Sequence, residues 1–159
     1  MKESYQLLDV LKGQLETCRD YLSLLKKKTE SLVVGDIKSL DSIVRVEQAI
    51  LMKMESFDRR RNQLLMNAGL KNITISELIA DHITKEEQPD YQEVFDELSV
   101  AIEALRKNSA LNERLLKQRL SVVNSFLNGS MPGIPIDANM NITVEDESKD
   151  IPGKKNKKV

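Results

Sequence analysis

Side chains able to do chemistry are few in this sequence and lie far apart. His82 is the only histidine and Cys18 the only cysteine. The first falls on a short connecting element and the second in the apolar seam of another helix, so no nucleophile–base pair is written into the chain. No Gly-rich phosphate loop, nucleophile elbow or metal-ligand spacing is present. Glu86-Glu87 and Glu145-Asp146-Glu147 place carboxylates side by side, but in loops such neighbours are solvated charge. An enzyme is not expected, nor a cofactor or a metal. Lys26-Lys27-Lys28 and Arg59-Arg60-Arg61 are the internal basic runs. At ~100° per residue each run spreads over ~200° of a helix, so neither makes a single phosphate-binding face.

Composition narrows the class further. Lys and Arg total 24 against 25 Asp and Glu, and this near balance disfavours a nucleic-acid partner. One cysteine excludes an intrachain disulfide and suits a reducing compartment. Met1 to Gln6 carry no signal-peptide core and no stretch approaches ~18 apolar residues, so a soluble, cytoplasmic protein without stable membrane insertion is expected. Aromatic residues are 4% of the chain and Trp is absent, which disfavours a β-sandwich or barrel. Between Gln14 and Asn128 the only breakers are Gly35, Gly69 and Pro89. The expected fold is all-α.

Four helices position whatever function there is. The first, over 2–33, has Leu8, Leu11, Leu15, Cys18, Leu22, Leu25 and Leu32 at alternating gaps of three and four, with Thr29 in the remaining slot. That is a coiled-coil seam. Gly13 lies off the seam, at an expected cost of about 1 kcal/mol relative to Ala. Gly35 breaks the chain and Asp36 can cap the second helix, over 37–68, whose stripe includes Leu40, Ile43, Val44, Ile50, Leu51, Met54, Phe57, Leu64 and Leu65. Two helices of ~48 Å joined by a tight turn predict an antiparallel hairpin, with residue i facing about 70 − i. Asp9 then falls level with Arg61. Thr74-Ile75-Ser76-Glu77 has capping-box spacing and predicts a short helix over 75–83. The third long helix spans 90–128 and runs antiparallel to the second. Together these make an elongated antiparallel bundle of three long helices plus a short connecting helix, occupying residues 1–128. Residues 129–159, with three of the four Pro and three of the six Gly, are expected to be a disordered C-terminal tail. Its Ile134, Ile136, Met140, Ile142 and Val144 permit an extended segment to lie in a groove.

The last long helix holds the best candidate site. Tyr91, Phe95, Leu98, Ile102, Leu105, Leu116, Leu120, Val123 and Leu127 read as its core seam, interrupted by Ser109 and Asn112. A second row, Leu111, Leu115, Val122 and Phe126, lies roughly 120° away. The equivalent row nearer the N-terminus is Glu93, Glu97, Ala101, Ala104 and Asn108, polar or small. A helix with two apolar faces packs on two neighbours, or on one neighbour and a partner. Leu111, Leu115, Val122 and Phe126, with Asn108 and Arg119 at the margins, are therefore the candidate binding surface; the competing reading is that the short helix or the tail covers them.

These features resemble the FlgN-type flagellar export chaperones. The resemblance rests on the Leu-rich first helix, the Gly35-Asp36 break, Arg59-Arg60-Arg61 running into Leu64-Leu65 and Gly69, and Asn108-Ser109-Ala110-Leu111-Asn112-Glu113-Arg114-Leu115. It implies a cytoplasmic, ATP-independent chaperone that holds the C-terminal helical region of hook–filament junction proteins, largely through its own C-terminal region. Such a chaperone prevents premature assembly and delivers the client to the flagellar type III export apparatus. The resemblance also leads one to expect an aromatic docking residue late in the chain. The three Tyr are at 5, 21 and 91, and only Phe126 lies late. The alternative is a structural coiled-coil adaptor, which would self-associate stably through its seams.

Overall fold

The computed structural model describes residues 2–129 and contains α1 (Lys2–Val34), α2 (Ile37–Asn67), α3 (Ile75–His82) and α4 (Gln88–Leu127). The tail beyond Gly129, with its five spaced apolar residues, lies outside the described residues. Each boundary has a local cause. Gly35 takes a left-handed φ of 76°, and its N–H and that of Asp36 both reach the Ser31 carbonyl, at 2.9 and 3.0 Å, which closes α1. Asp36 then opens α2 by accepting the Ser39 N–H at 3.1 Å. The Ser39 hydroxyl, donating at 2.7 Å, and then that N–H hold its carboxyl below the usual carboxylate range. The capping box at Thr74 and Glu77 forms as its spacing predicts. Pro89 sits in the first turn of α4, where its missing N–H costs no helical bond.

α1 is the central helix. It packs on α2 along one side and on α4 along another, whereas α2 and α4 have little direct contact. Against α2 it runs antiparallel: Gln14 donates to Asp58 at 2.7 Å, and Phe57 lies over Gly13. Against α4 it runs parallel at a constant offset of 87 residues. Ser4 meets Tyr91, the Leu25 carbonyl accepts from Asn112, and the Leu32 carbonyl accepts from Arg119. α4 is thus antiparallel to α2, as its connector length predicts, but it rests on α1. α3 closes the opposite end of the bundle by burying Leu78 and Ile79.

Two details of the packing depart from the heptad reading. α1 buries a second stripe, toward α2, in addition to its leucine seam. This stripe is largely polar: Gln14 bonds Asp58, Lys28 bonds Glu47 at 3.0 Å, and Tyr21 donates to Glu47 at 3.0 Å. On α4 the buried face runs through Tyr91, Val94, Leu98, Ala101, Leu105 and Asn112. Ile102, Leu116, Leu120, Val123 and Leu127, assigned to the core seam, are instead 52%, 42%, 52%, 49% and 78% exposed. The reason is geometric. Among the described residues α4 has one long neighbour rather than two, so only one of its apolar rows is covered.

Gly13 also changes role. A Cβ at that position would stand 2.5 Å from Phe57 Cζ. It is therefore a seat for the ring and not a neutral interruption. Arg61, expected level with Asp9, pairs with Asp58 of its own helix at 3.4 Å.

Candidate functional site

The C-terminal half of α4 begins at a polar lock. Asn112 is buried, donates to the Leu25 carbonyl at 2.9 Å and accepts from the Thr29 hydroxyl. A buried amide with both ends satisfied fixes the sliding register of two helices. One heptad later Arg119 donates through Nε to the Leu32 carbonyl at 2.8 Å and through a terminal nitrogen to the Val33 carbonyl. These are carbonyls that the end of α1 leaves without helical partners, and a cation belongs at that end of the macrodipole. Arg119, expected at the margin of the binding surface, thus caps α1.

The other candidate residues divide by exposure. Asn108 is half-buried and ties its amide to the Ala104 carbonyl of its own helix at 2.8 Å. Leu111, Leu115 and Val122 are half-buried, and Phe126 is 62% exposed. The 87-residue offset brings Val34, the last residue of α1, level with Ser121. Residues 122–127 therefore extend past the hairpin turn, and Val123, Phe126 and Leu127 there face solvent. Val33, Val34 and Ile37 at that turn are exposed as well, so apolar surface concentrates at this end.

Beside this half of α4 lies an open cleft of about 250 Å³, floored by Tyr21, Leu25 and Lys28 of α1 and walled by Glu47 of α2 and by Asn112 and Leu116 of α4. At its floor Glu47 takes both the Lys28 ammonium and the Tyr21 hydroxyl. Burial first, and then the charge and hydrogen bond of Glu47, push the Tyr21 phenol up to about 12. These groups answer one another and leave no free acid or base directed at a substrate. Elsewhere, Cys18 is buried and its thiol is pushed up by desolvation and by Asp58, the opposite of an activated nucleophile. His82 is exposed at the far end, beside Ser4 and Leu7. Among the described residues no group of three or more His, Cys, Asp or Glu could hold a metal ion, and no helix is long and apolar enough to cross a membrane.

What the site offers is apolar helical surface on a rigid polar frame, the equipment of a protein-binding module. The family model described as FlgN protein matches residues 1–133, all four helices included. The chain belongs to the FlgN family. FlgN proteins are flagellar export chaperones and not an enzyme family, which accords with a site made of leucine, valine and phenylalanine. No curated protein and no solved structure matches the chain. The match with FlgN ends shortly after α4, so the exposed rows of that helix lie within the shared region.

The α2 wall of the cleft was not foreseen as part of a site. Val44 and Leu51, 39% and 46% exposed, stand three residues before and four after Glu47 and share its face. In the sequence they merge into the apolar stripe of α2. The available signal was the polar series Gln14, Tyr21 and Lys28 at intervals of seven, which marks where α2 lies on α1.

Proposed function

We propose that this FlgN-family chain is a cytoplasmic export chaperone for hook–filament junction proteins. It holds their C-terminal helical region on the C-terminal half of α4, prevents premature assembly, and delivers them to the flagellar type III export apparatus. One observation carries the reading: five exposed large apolar side chains, Leu116, Leu120, Val123, Phe126 and Leu127, crowd the last turns of α4, against two, Val100 and Ile102, in the rest of that helix. A contiguous exposed apolar surface on a helix is an interaction site by default. Leu111, Leu115 and Val122, half-buried, border that surface and Phe126 stands on it, while Asn108 and Arg119 hold the frame.

Fully burying a leucine or phenylalanine contributes roughly 1.5–3 kcal/mol, so burying the exposed half of Leu120 and of Phe126 contributes roughly 1–1.5 kcal/mol each before ordering costs. Replacing both by Ser is expected to weaken binding of a purified junction protein at least tenfold, since ~1.4 kcal/mol is a factor of ten. Circular dichroism and the melting point stay nearly constant, because neither side chain is in the core. A folded double variant that binds at full strength removes this surface from consideration. Stable self-assembly through the helix seams with no affinity for junction proteins would favour the adaptor instead.

A further inference from the structure

We infer that the exposed apolar row at the end of α4 is covered, in the free chain, by the chain's own segment 140–147, which a client must displace to bind. Displacement rests on the chaperone reading; the covering does not. Charge is the starting observation. Residues 88–105 of α4 carry Asp90, Glu93, Asp96, Glu97 and Glu103 and no Lys or Arg. Residues 106–127 carry Arg106, Lys107, Arg114, Lys117 and Arg119 against Glu113 alone. Leu116, Leu120, Val123 and Leu127 all lie in the basic half. Within the helix Glu103 pairs with Arg106 at 2.7 Å and Glu113 with Lys117 at 3.3 Å, and Arg119 is bonded to the α1 carbonyls. Lys107 and Arg114, both exposed, are the remaining positive excess.

Beyond Gly129 the chain carries the opposite charges in the matching order. Asp137, Glu145, Asp146 and Glu147 come first; Lys149, Lys154, Lys155, Lys157 and Lys158 follow, with Asp150 the one acid among them. A segment that leaves α4 at its C-terminus and returns along it meets the basic half first and the acidic half second. The reverse order of blocks would set like against like. Gly129, at a left-handed φ of 73° with its N–H on the Phe126 carbonyl, takes the chain off the helix axis beside the row. Reach is ample. Asp146 lies seventeen residues beyond Gly129, up to ~56 Å of extended chain, whereas Leu116 is ~20 Å back along α4. Met140, Ile142 and Val144 share one face of an extended segment. From 140 to 145 such a segment spans ~16 Å, as Leu127 to Leu116 does, so Glu145, Asp146 and Glu147 arrive about level with residues 112–116. A second copy fits less well, because pairing row on row sets the basic half against itself. The tethered segment is always present, at an effective concentration of order mM. It lies beyond residue 133, where the match with FlgN ends.

Thiol footprinting of the full chain tests this. Leu120→Cys reports on the row, Val123→Cys reads it again in case Leu120→Cys perturbs the fold, and Val46→Cys on α2 is the exposed control. Cys18, the only native thiol, is buried and gives a slow background. Each variant is compared with the same full chain carrying Ile142→Ser, Glu145→Gln, Asp146→Asn and Glu147→Gln, with circular dichroism to check that the helices are unchanged. The altered segment is expected to speed alkylation of the row threefold or more at every protein concentration and to leave Val46→Cys unchanged. High salt narrows the difference, because part of the attraction is between charges. On the background with native Leu120, the altered segment also tightens binding of a purified hook–filament junction protein threefold or more. Equal row rates with the two segments overturn the inference and leave the chaperone reading standing. A row rate that falls as protein concentration rises identifies a second copy as the cover and overturns it too. A faster row with unchanged affinity shows that segment and client do not compete, which overturns displacement. No binding of junction protein by either chain overturns the chaperone reading and displacement together, while the row rates still decide the covering.

Discussion

Replacing Gly13 by Ala sets two physical effects against each other, with opposite signs. Helix propensity alone says that α1 gains about 1 kcal/mol from the change. Packing says the opposite. The new methyl group would stand 2.5 Å from Phe57 Cζ and 2.6 Å from Cε1, whereas non-bonded carbons rest near ~3.5–4 Å, so the ring must retreat by about 1 Å. Phe57 is half-buried against the core, and a rigid ring cannot bend away from a methyl group as a long chain can. Overpacking of this kind costs typically 1–3 kcal/mol, so the net expectation is a loss of about 1 kcal/mol. Urea denaturation followed by circular dichroism at equal slope measures it. The double variant with Phe57→Leu separates the contributions, because a smaller side chain relieves the contact and lets the propensity gain appear. The reasoning is refuted if Gly13→Ala alone is stabilising by about 1 kcal/mol.

Two further outcomes concern the frame of α4. Asn112→Ala removes the buried amide bond to the Leu25 carbonyl, which keeps the Thr29 hydroxyl as a donor, and is expected to cost about 0.5–1.5 kcal/mol of stability in the same denaturation assay. Arg119→Ala uncovers the last carbonyls of α1, so it lowers stability by about 1 kcal/mol while changing the affinity for junction protein less than Leu120→Ser does; a loss of affinity at unchanged stability would return Arg119 to the binding surface.

Helix count and connection were legible because breakers and caps are local. Gly35, Asp36, Thr74 and Glu77 act through bonds to residues at most five positions away, so spacing alone reveals them. The hairpin register was legible for the same reason: a short turn fixes which levels face each other, and Phe57 does meet Gly13. Which helix lies in the middle was not. A central helix needs two covered stripes, and pattern reading finds stripes by hydrophobicity. The second stripe of α1 is covered by hydrogen bonds and an ion pair through Gln14, Tyr21 and Lys28, so it passes for solvated surface. The capping role of Arg119 was hidden for a related reason. A cation can be seen in a sequence, but the carbonyls it caps are 86 and 87 residues away.

The exposed row of α4 follows from the same logic. Leu116, Leu120, Val123 and Leu127 have core spacing, and among the described residues no long helix lies against them. Heptad spacing records that a stripe is to be buried against a helix; it does not say whose. A free chain gains nothing from holding such a stripe in water, and natural sequences keep local choices consistent with the global fold except where a site demands otherwise. In this FlgN-family chain the proposed client surface on α4 is such an exception. On that proposal, the positions that the heptad reading assigned to a core are core positions of the complex.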